Sequence, residues 1–378
     1  LTPGSGNVAP ATKKSGKAGR WILWLLVTAA LVALVVFIRA KVPFSWTVFG
    51  EQLRQADWRL FALAIALIYG AYVLRAVRWA IFLRPVKKVS PFTILGSQVI
   101  GFTGVALFGR LADLVRPYLV ARRVKLSVGS QIAVYTVERM FDLGAMAMIF
   151  SLTLLFAPDR NTLPHHELMV KVAKVSFIVT LGLAVFAIFV RLSGGVLAAF
   201  TAKTIGALSP GIGRSVADRI LAFRGGLNTL ASFPDFLLAL VVSLAMWGMI
   251  VSAYLETMWA FTRSPELTHM TLARCMVLMA ASMGGSILQL PVIGWFTTIL
   301  ATSAVMHAWL GVAAEPALGA GAMLLVVSFL SIVPVGLVWS RFEHVSLRAV
   351  AEESEQAEEE SISEPSTVGA GSGFPPSA

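Results

Sequence analysis

Three charges stand together in the run Val137-Glu-Arg-Met-Phe-Asp142, inside an otherwise apolar stretch from Ser130 to Phe156. Counted from Ser127, Glu138 lies eleven residues in. That is about 16 Å deep at 1.5 Å per residue, near the middle of a bilayer core of about 30 Å. A charge at that depth costs about 2.5–3.5 kcal/mol on insertion scales, so it calls for a partner or a task. Glu138 and Asp142 are four apart and share a helix face, while Arg139 and Asp142 are three apart and can pair. One negative charge is then left seeking a cation. Arg110-Leu-Ala-Asp113-Leu-Val-Arg116 places three charges on one face and can supply it.

Two roles stay open for these residues. Buried charges can lock one helix to another and do nothing else. Alternatively Arg110 and Arg116, with Asp113 between them, hold an anionic headgroup in an aqueous cavity. Glu138, Arg139 and Asp142 would then gate access or relay protons. Arg75 and Arg78 lie near the end of an apolar run and precede Trp79. They read either as snorkelling anchors or as substrate-binding groups that recruit anionic lipid headgroups.

The elements that must position these side chains are membrane helices. Hydrophobic residues make up 57% of the 378-residue chain and charged residues 13%, which excludes an ordinary soluble enzyme. The formal net charge of +11 fits cationic loops beside membrane spans better than nucleic-acid binding. The lone Cys275 excludes a disulfide framework or a thiolate metal cluster. Spans are expected at Trp21–Ile38, Leu60–Leu83, Ser130–Phe156, Val172–Val190, Phe236–Phe261 and Ala317–Trp339.

Two further apolar stretches do not read as simple spans. Pro91–Gly109 contains Gly101-Phe-Thr-Gly104 and is flanked by five basic residues on each side. A re-entrant hairpin, Ser90–Val124, keeps both clusters on the cytoplasmic side, with Gly101 and Gly104 serving its tight turn and close helix packing. The second stretch, Cys275–Ala314, lacks Asp, Glu, Lys and Arg and is interrupted by Gln289-Leu-Pro291-Val-Ile-Gly294. It is either two full spans or a second hairpin, Thr271–Leu310, turning at Pro291 and Gly294. The hairpin is favoured because the turn has no Lys or Arg to anchor it in headgroups. The expected fold is therefore all-α, polytopic, with about six full spans and two re-entrant hairpins. The order span–hairpin–span occurs twice with opposite entry, a possible inverted repeat.

With the N-terminus inside, 21 basic residues face the cytoplasm and nine face outward. Both termini are thus placed in the cytoplasm, with the protein in a cell (inner) membrane. Residues 1–20 read as a disordered basic lead-in, 21–341 as the membrane domain, and 351–378 as a disordered acidic, then Gly/Ser/Pro-rich tail. Within a cytoplasmic linker, 194–235, Val216, Ile220, Phe223 and Leu227 fall at helical spacing as an amphipathic segment. No nucleotide-binding GxxxxGK[ST] and no GxSxG elbow occur. His165-His166-Glu167 does not have the HExxH order, and His307 reads as a pore or packing residue. No metal, cofactor or catalytic residue is expected.

Three motifs occur in order: Arg75-Ala-Val-Arg78-Trp79 with Leu83-Arg-Pro85, Gly109-Arg110-Leu-Ala-Asp113-Leu-Val-Arg116-Pro-Tyr-Leu, and Glu138-Arg139-Met-Phe-Asp142. This set resembles the membrane region of lysylphosphatidylglycerol synthases and the stand-alone flippase-like integral membrane proteins of that family. The resemblance runs from about Leu60 to Leu155, with a weaker echo at Leu290-Pro-Val-Ile-Gly294 and Leu310-Gly311. It implies a bacterial-type inner-membrane protein that flips an anionic lipid or lipid-linked precursor between leaflets. Its partners would be lipids with anionic headgroups, without nucleic acid, and an oligomer is possible. The competing readings are a membrane-embedded lipid-modifying enzyme or its partner subunit, and a non-transporting envelope scaffold. The chain departs from the family at Leu107-Phe-Gly109-Arg110, where members often carry Pro-Gly-Arg. It departs again at Gly294-Trp-Phe-Thr297, which lacks the acid usual in the second hairpin. Only a short tail follows Trp339, so the aminoacyl-transferase domain, and synthesis of the lipid, are not expected.

Overall fold

The computed structural model describes residues 45–208, 232–285 and 293–343, apart from some side chains, including that of Arg110. The chain divides into two units at Val48, and described residues 49–343 belong to the second. The expected span Trp21–Ile38, the two termini, the amphipathic segment after Arg214 and the turn at Pro291 lie outside the described residues.

All described elements are helical. After α1 (Trp46–Arg54), α2 (Trp58–Leu83) starts where the Asp57 side chain accepts the Arg59 N–H at 2.9 Å. Then come α3 (Pro91–Phe108), a single tight turn (Gly109–Ala112), α4 (Val115–Val124) and α5 (Val128–Phe156). Pro91 opens α3, where its missing N–H has no helical partner to lose. Next are α6 (His166–Leu208), α7 (Phe233–Trp259), the short α8 (Pro265–Thr268), α9 (Leu272–Gly285) and α10 (Ile293–Leu310). The chain continues through α11 (Ala314–Leu325), a wide turn (Val326–Leu330) and α12 (Ile332–Phe342).

Among the described residues, six helical segments are long and apolar enough to cross a membrane. Five of them are α2, α5, the first part of α6, α7 and the α11–α12 rod, which carry the expected spans from Leu60 onward. The sixth is α3, the first arm of the expected hairpin. One boundary differs: α6 does not end near Val190 but continues to Leu208, into the segment read as linker. Leu-, Ala- and Val-rich sequence favours continuation of the helix, and the Gly194-Gly195 pair does not break it.

α2 and α7 form the central pair, antiparallel along their whole lengths. Asp57 N–H meets the Ala260 carbonyl at 2.9 Å at one end, and Arg84 pairs with Asp235 at 2.6 Å at the other. Between them Gly70 admits Met249, and the main core (Phe61, Tyr254, Met258 and Phe261) fills the first half.

α3 and α4 fold back on one another. Gly101 faces Arg116, Gly104 faces Ala112 and Val115, and the Lys87 ammonium reaches the Val124 carbonyl at 2.9 Å. The chain therefore enters and leaves this hairpin at the same end. Its turn is not at Gly101 or Gly104, as expected from their spacing, because both are helical. The turn is at Gly109, whose φ of 72° is open to a residue without Cβ. Gly101 instead serves close packing, since a Cβ there would fall 2.2 Å from Arg116 Cγ, whereas a Cβ at Gly104 would make an ordinary contact, 3.6 Å from Ala112 Cβ. α9 and α10 form the second hairpin, closed by Thr297 donating to the Gly285 carbonyl at 2.8 Å. Gly294 is helical, within the first turn of α10.

Between α11 and α12 the Ser331 N–H reaches back five residues to the Val326 carbonyl at 2.7 Å. Pro334 explains the widening, since it has no N–H for the Leu330 carbonyl and crowds it. The Tyr69 hydroxyl satisfies the Ser331 carbonyl at 2.9 Å. Beyond this turn α12 packs on α3, where a Cβ at Gly336 would lie 1.8 Å from Thr103 Oγ. Thr103 is β-branched and already donates to the Val99 carbonyl at 2.9 Å, so it has little room to yield. Gly336→Ala is expected to destabilise the protein by about 1–3 kcal/mol through overpacking. Gly248→Ala, in open space on α7, is expected to be neutral or stabilising. Thermal unfolding of both variants in detergent checks the pair.

Candidate functional site

Glu138 and Asp142 project one turn apart from the same face of α5 and are both buried. Three guanidinium groups converge on them. Arg78, from α2, places Nη2 at 3.0 Å from Glu138 Oε1 and 2.8 Å from Asp142 Oδ1, bridging the two carboxylates. Arg116, from α4, places Nη1 at 3.1 Å from Glu138 Oε2. Arg75, a turn before Arg78 on α2, is held less closely, at 3.5 Å from Asp142 and 3.7 Å from Glu138.

Neutral side chains fix the orientation of these groups. Ser243, on α7, accepts from Arg78 Nη1 at 2.9 Å and donates to the Ala239 carbonyl at 2.7 Å. The Trp247 indole donates to Asp142 Oδ1 at 3.3 Å, and Gln98 Oε1, on α3, accepts from Arg116 Nη1 at 3.3 Å. Five helices, α2, α3, α4, α5 and α7, thus meet at one polar knot. Gly101 makes the knot possible by letting Arg116 lie directly against α3.

The electrostatic balance differs from the sequence expectation. The first hairpin does supply a cation, Arg116 to Glu138, but α2 supplies two more, to both carboxylates. Arg78 is fully buried rather than snorkelling to a surface, and Arg75 is 11% exposed. Three buried guanidinium groups therefore face two buried carboxylates, with a half-exposed fourth, Arg139, 3.8 Å from Asp142. The local charge is positive. Among the described residues, Arg116 Nε and Nη2 and Arg78 Nε have no hydrogen-bond acceptor. The Arg116 guanidinium lies instead over the Phe102 ring at 4.3 Å and the Tyr135 ring at 5.1 Å, and Phe102 also meets Arg75 at 5.0 Å. Asp113 lies in the turn leading to α4. The Arg110 side chain lies outside the described residues.

A cavity of about 290 Å³ adjoins this knot. It lies between the first hairpin (Phe102, Gly109), the central pair (Arg75, Tyr254) and the second hairpin (Ser282, Trp295). Arg75 is the one described charged residue in its wall; Arg78, Arg116, Glu138 and Asp142 stand behind it. Among the residues singled out in the sequence, Arg75, Gly109 and Gly294 reach the cavity, and Arg116 does not. His307 is exposed and does not line the cavity, and its Nδ1 lies 2.8 Å from the Val312 carbonyl just beyond the end of α10.

Ser243, Trp247, Gln98 and Tyr254 gave no signal in the sequence reading. Each is an uncharged polar residue in an apolar helix. The clue available was that a buried arginine has five N–H donors, more than two carboxylates can absorb for three arginines.

Arg78→Ala is expected to cost about 3–5 kcal/mol, because it strands two carboxylates. Combining Arg78→Met with Asp142→Leu is expected to cost less than the two changes summed, by about 0.5–3 kcal/mol of coupling. Unfolding in detergent across the double-mutant cycle measures it. In comparison with known proteins, no curated protein matches the sequence. The family described as Lysylphosphatidylglycerol synthase TM region matches residues 21–351. With that match over most of its length, and six apolar helices able to cross a membrane, the chain is a multi-pass integral membrane protein belonging to the lysylphosphatidylglycerol synthase transmembrane-region family.

Proposed function

We propose that this protein moves an anionic lipid or lipid-linked precursor between the leaflets of the cell (inner) membrane, without altering it chemically. The carrying observation is Arg75, a cation in the wall of a cavity between two helical hairpins, beside a knot with more guanidinium than carboxylate groups. Excess positive charge in a low-dielectric interior attracts an anion strongly. Of Arg75, Arg78 and Arg116, Arg75 is held least closely by Asp142 and Glu138, and it is the one in the cavity wall, so it can reach a phosphate. When the cavity empties, the two carboxylates take Arg75 back, and Arg78 and Arg116 keep them in place. Transport is favoured over lipid chemistry because Glu138 and Asp142 face guanidinium groups rather than the cavity.

In this reading both hairpins are re-entrant. α4 has ten residues, about 15 Å, which is too short to cross a core of about 30 Å. α3 is enclosed by protein over most of its length, where the other candidate spans are largely exposed. The two hairpins enter from opposite sides as an inverted repeat, with the cavity where they meet. The excess of basic residues on that side supports an orientation with both termini in the cytoplasm.

The test is reconstitution of the full chain in vesicles with tail-labelled phosphatidylglycerol, followed by a membrane-impermeant quencher. Transport is expected, and Arg75→Ala is expected to slow it about tenfold or more, the worth of one charge-assisted hydrogen bond. Arg84→Ala, on an exposed pair, is expected to leave it unchanged. Chemical conversion of the lipid by the purified protein would overturn the reading in favour of an enzyme.

A further inference from the structure

The cavity has two chemically different ends. Arg75 and the Phe102 ring form one. The other carries four hydroxyl groups, from Tyr254 on α7, Ser282 on α9, Thr298 on α10 and Ser328 on the wide turn after α11. These come from four separate elements, so they meet only in the folded protein.

Their hydrogen-bond commitments define what they can still bind. Ser328 donates to the Leu324 carbonyl, and Thr298 donates to the Gly294 carbonyl at 2.8 Å. Each hydroxyl proton is thus taken by backbone, which leaves oxygen lone pairs as the remaining capacity. Tyr254 and Ser282 bond to each other at 3.0 Å, which occupies one of their two protons. This end is therefore rich in acceptors and suits a ligand rich in donors. Hydroxyl and ammonium groups both donate, and charge separates them. Among the described residues no carboxylate lines the cavity, and the stretch Cys275–Ala314 contains none at all. An ammonium group would share this low-dielectric space with Arg75 and have no counter-ion.

From this arrangement we infer that the cavity selects a phosphodiester bearing an uncharged, polyhydroxylated group, with the phosphate on Arg75 and the hydroxyls on Tyr254, Ser282, Thr298 and Ser328. The inference rests on the transport reading above and names the substrate class of that same site. At about 290 Å³ the cavity is near the lower end of small-molecule sites, roughly 300 Å³, which suits a headgroup with its lipid tails outside. A glycerol headgroup and a lipid-linked sugar phosphate share this chemistry.

The test uses the full chain in vesicles doped with one tail-labelled probe at a time: phosphatidylglycerol, a polyprenyl-phosphate sugar, phosphatidic acid or lysylphosphatidylglycerol. Lipid retained through purification is identified in parallel by native mass spectrometry. One or both hydroxylated probes are expected to move at least about tenfold faster than phosphatidic acid, which has no polyol, and lysylphosphatidylglycerol, which has ammonium groups. Whichever of the first two is faster identifies the source. Ser282→Ala with Ser328→Ala is expected to shrink the ratio of phosphatidylglycerol to phosphatidic acid, which partial loss of folded protein leaves unchanged. Ser328→Asp is expected to admit lysylphosphatidylglycerol. Equal rates for all four probes would overturn the selectivity and leave the transport reading intact. Selective retention of a hydroxylated lipid without movement would uphold the selectivity and overturn transport. Absence of both movement and retention would overturn both.

Discussion

Two carboxylates removed from water impose the main constraint on this molecule. Glu138 and Asp142 are ionisable groups in an apolar helix, and a lone carboxylate there would be several kcal/mol out of balance. Every nearby oddity is a response to them. Two arginines sit a turn apart on α2, a hairpin returns so that Arg116 can reach the same point, and Gly101 gives up its side chain to let that arginine in. Ser243 and Trp247 then tie α7 to the knot through uncharged groups. Five helices are registered to one another by a few polar contacts, where apolar packing alone would leave sliding alternatives close in energy.

The network does more than balance itself. Its cations outnumber its anions, and Arg75 displays that excess to the cavity. On the far side of the cavity the polar groups among the described residues, four hydroxyls and the Trp295 indole, are all uncharged. The first half of the chain thus supplies charge and the second half supplies hydrogen bonding without charge. This division follows from composition: Cys275–Ala314 has no ionisable acid or strong base to contribute. Aromatic rings between the two halves, Phe102 above all, let guanidinium groups approach one another by offering their faces to both.

Much of this was legible in the sequence, for identifiable reasons. Glu138, Arg139 and Asp142 stand out because charge is rare in a run that long and apolar, and helical spacing assigns their faces. That the first hairpin supplies a cation followed from charge balance, though not that Arg116 is the arginine that meets Glu138. Arg75 and Arg78 read as surface anchors or headgroup-binding groups, because position near a span's end does not separate these from buried partners of the α5 carboxylates. Only the tertiary position of α5 decides between these. The hairpin turn was misplaced because Gly101 and Gly104 look like breakers, whereas helix continues wherever a neighbour needs the space a missing Cβ provides. Gly109, beside Phe108 and Arg110, carries the left-handed turn and had no such repeat to advertise it. Ser243, Trp247 and Tyr254 were invisible because a hydroxyl or indole in an apolar helix leaves no trace in charge or periodicity.

The wide turn at Val326–Leu330 also sets an angle. One extra residue in a helical turn advances everything beyond it by about 100° around the axis. α12 is therefore out of phase with α11, and that offset points Gly336 at Thr103 while Ser328 and Phe329 remain on the cavity side. A single ring, that of Pro334, acts as a phase shifter between the part of the rod that lines the cavity and the part that clasps the first hairpin. Restoring regular winding there would rotate the clasp away from its notch without altering any residue in either.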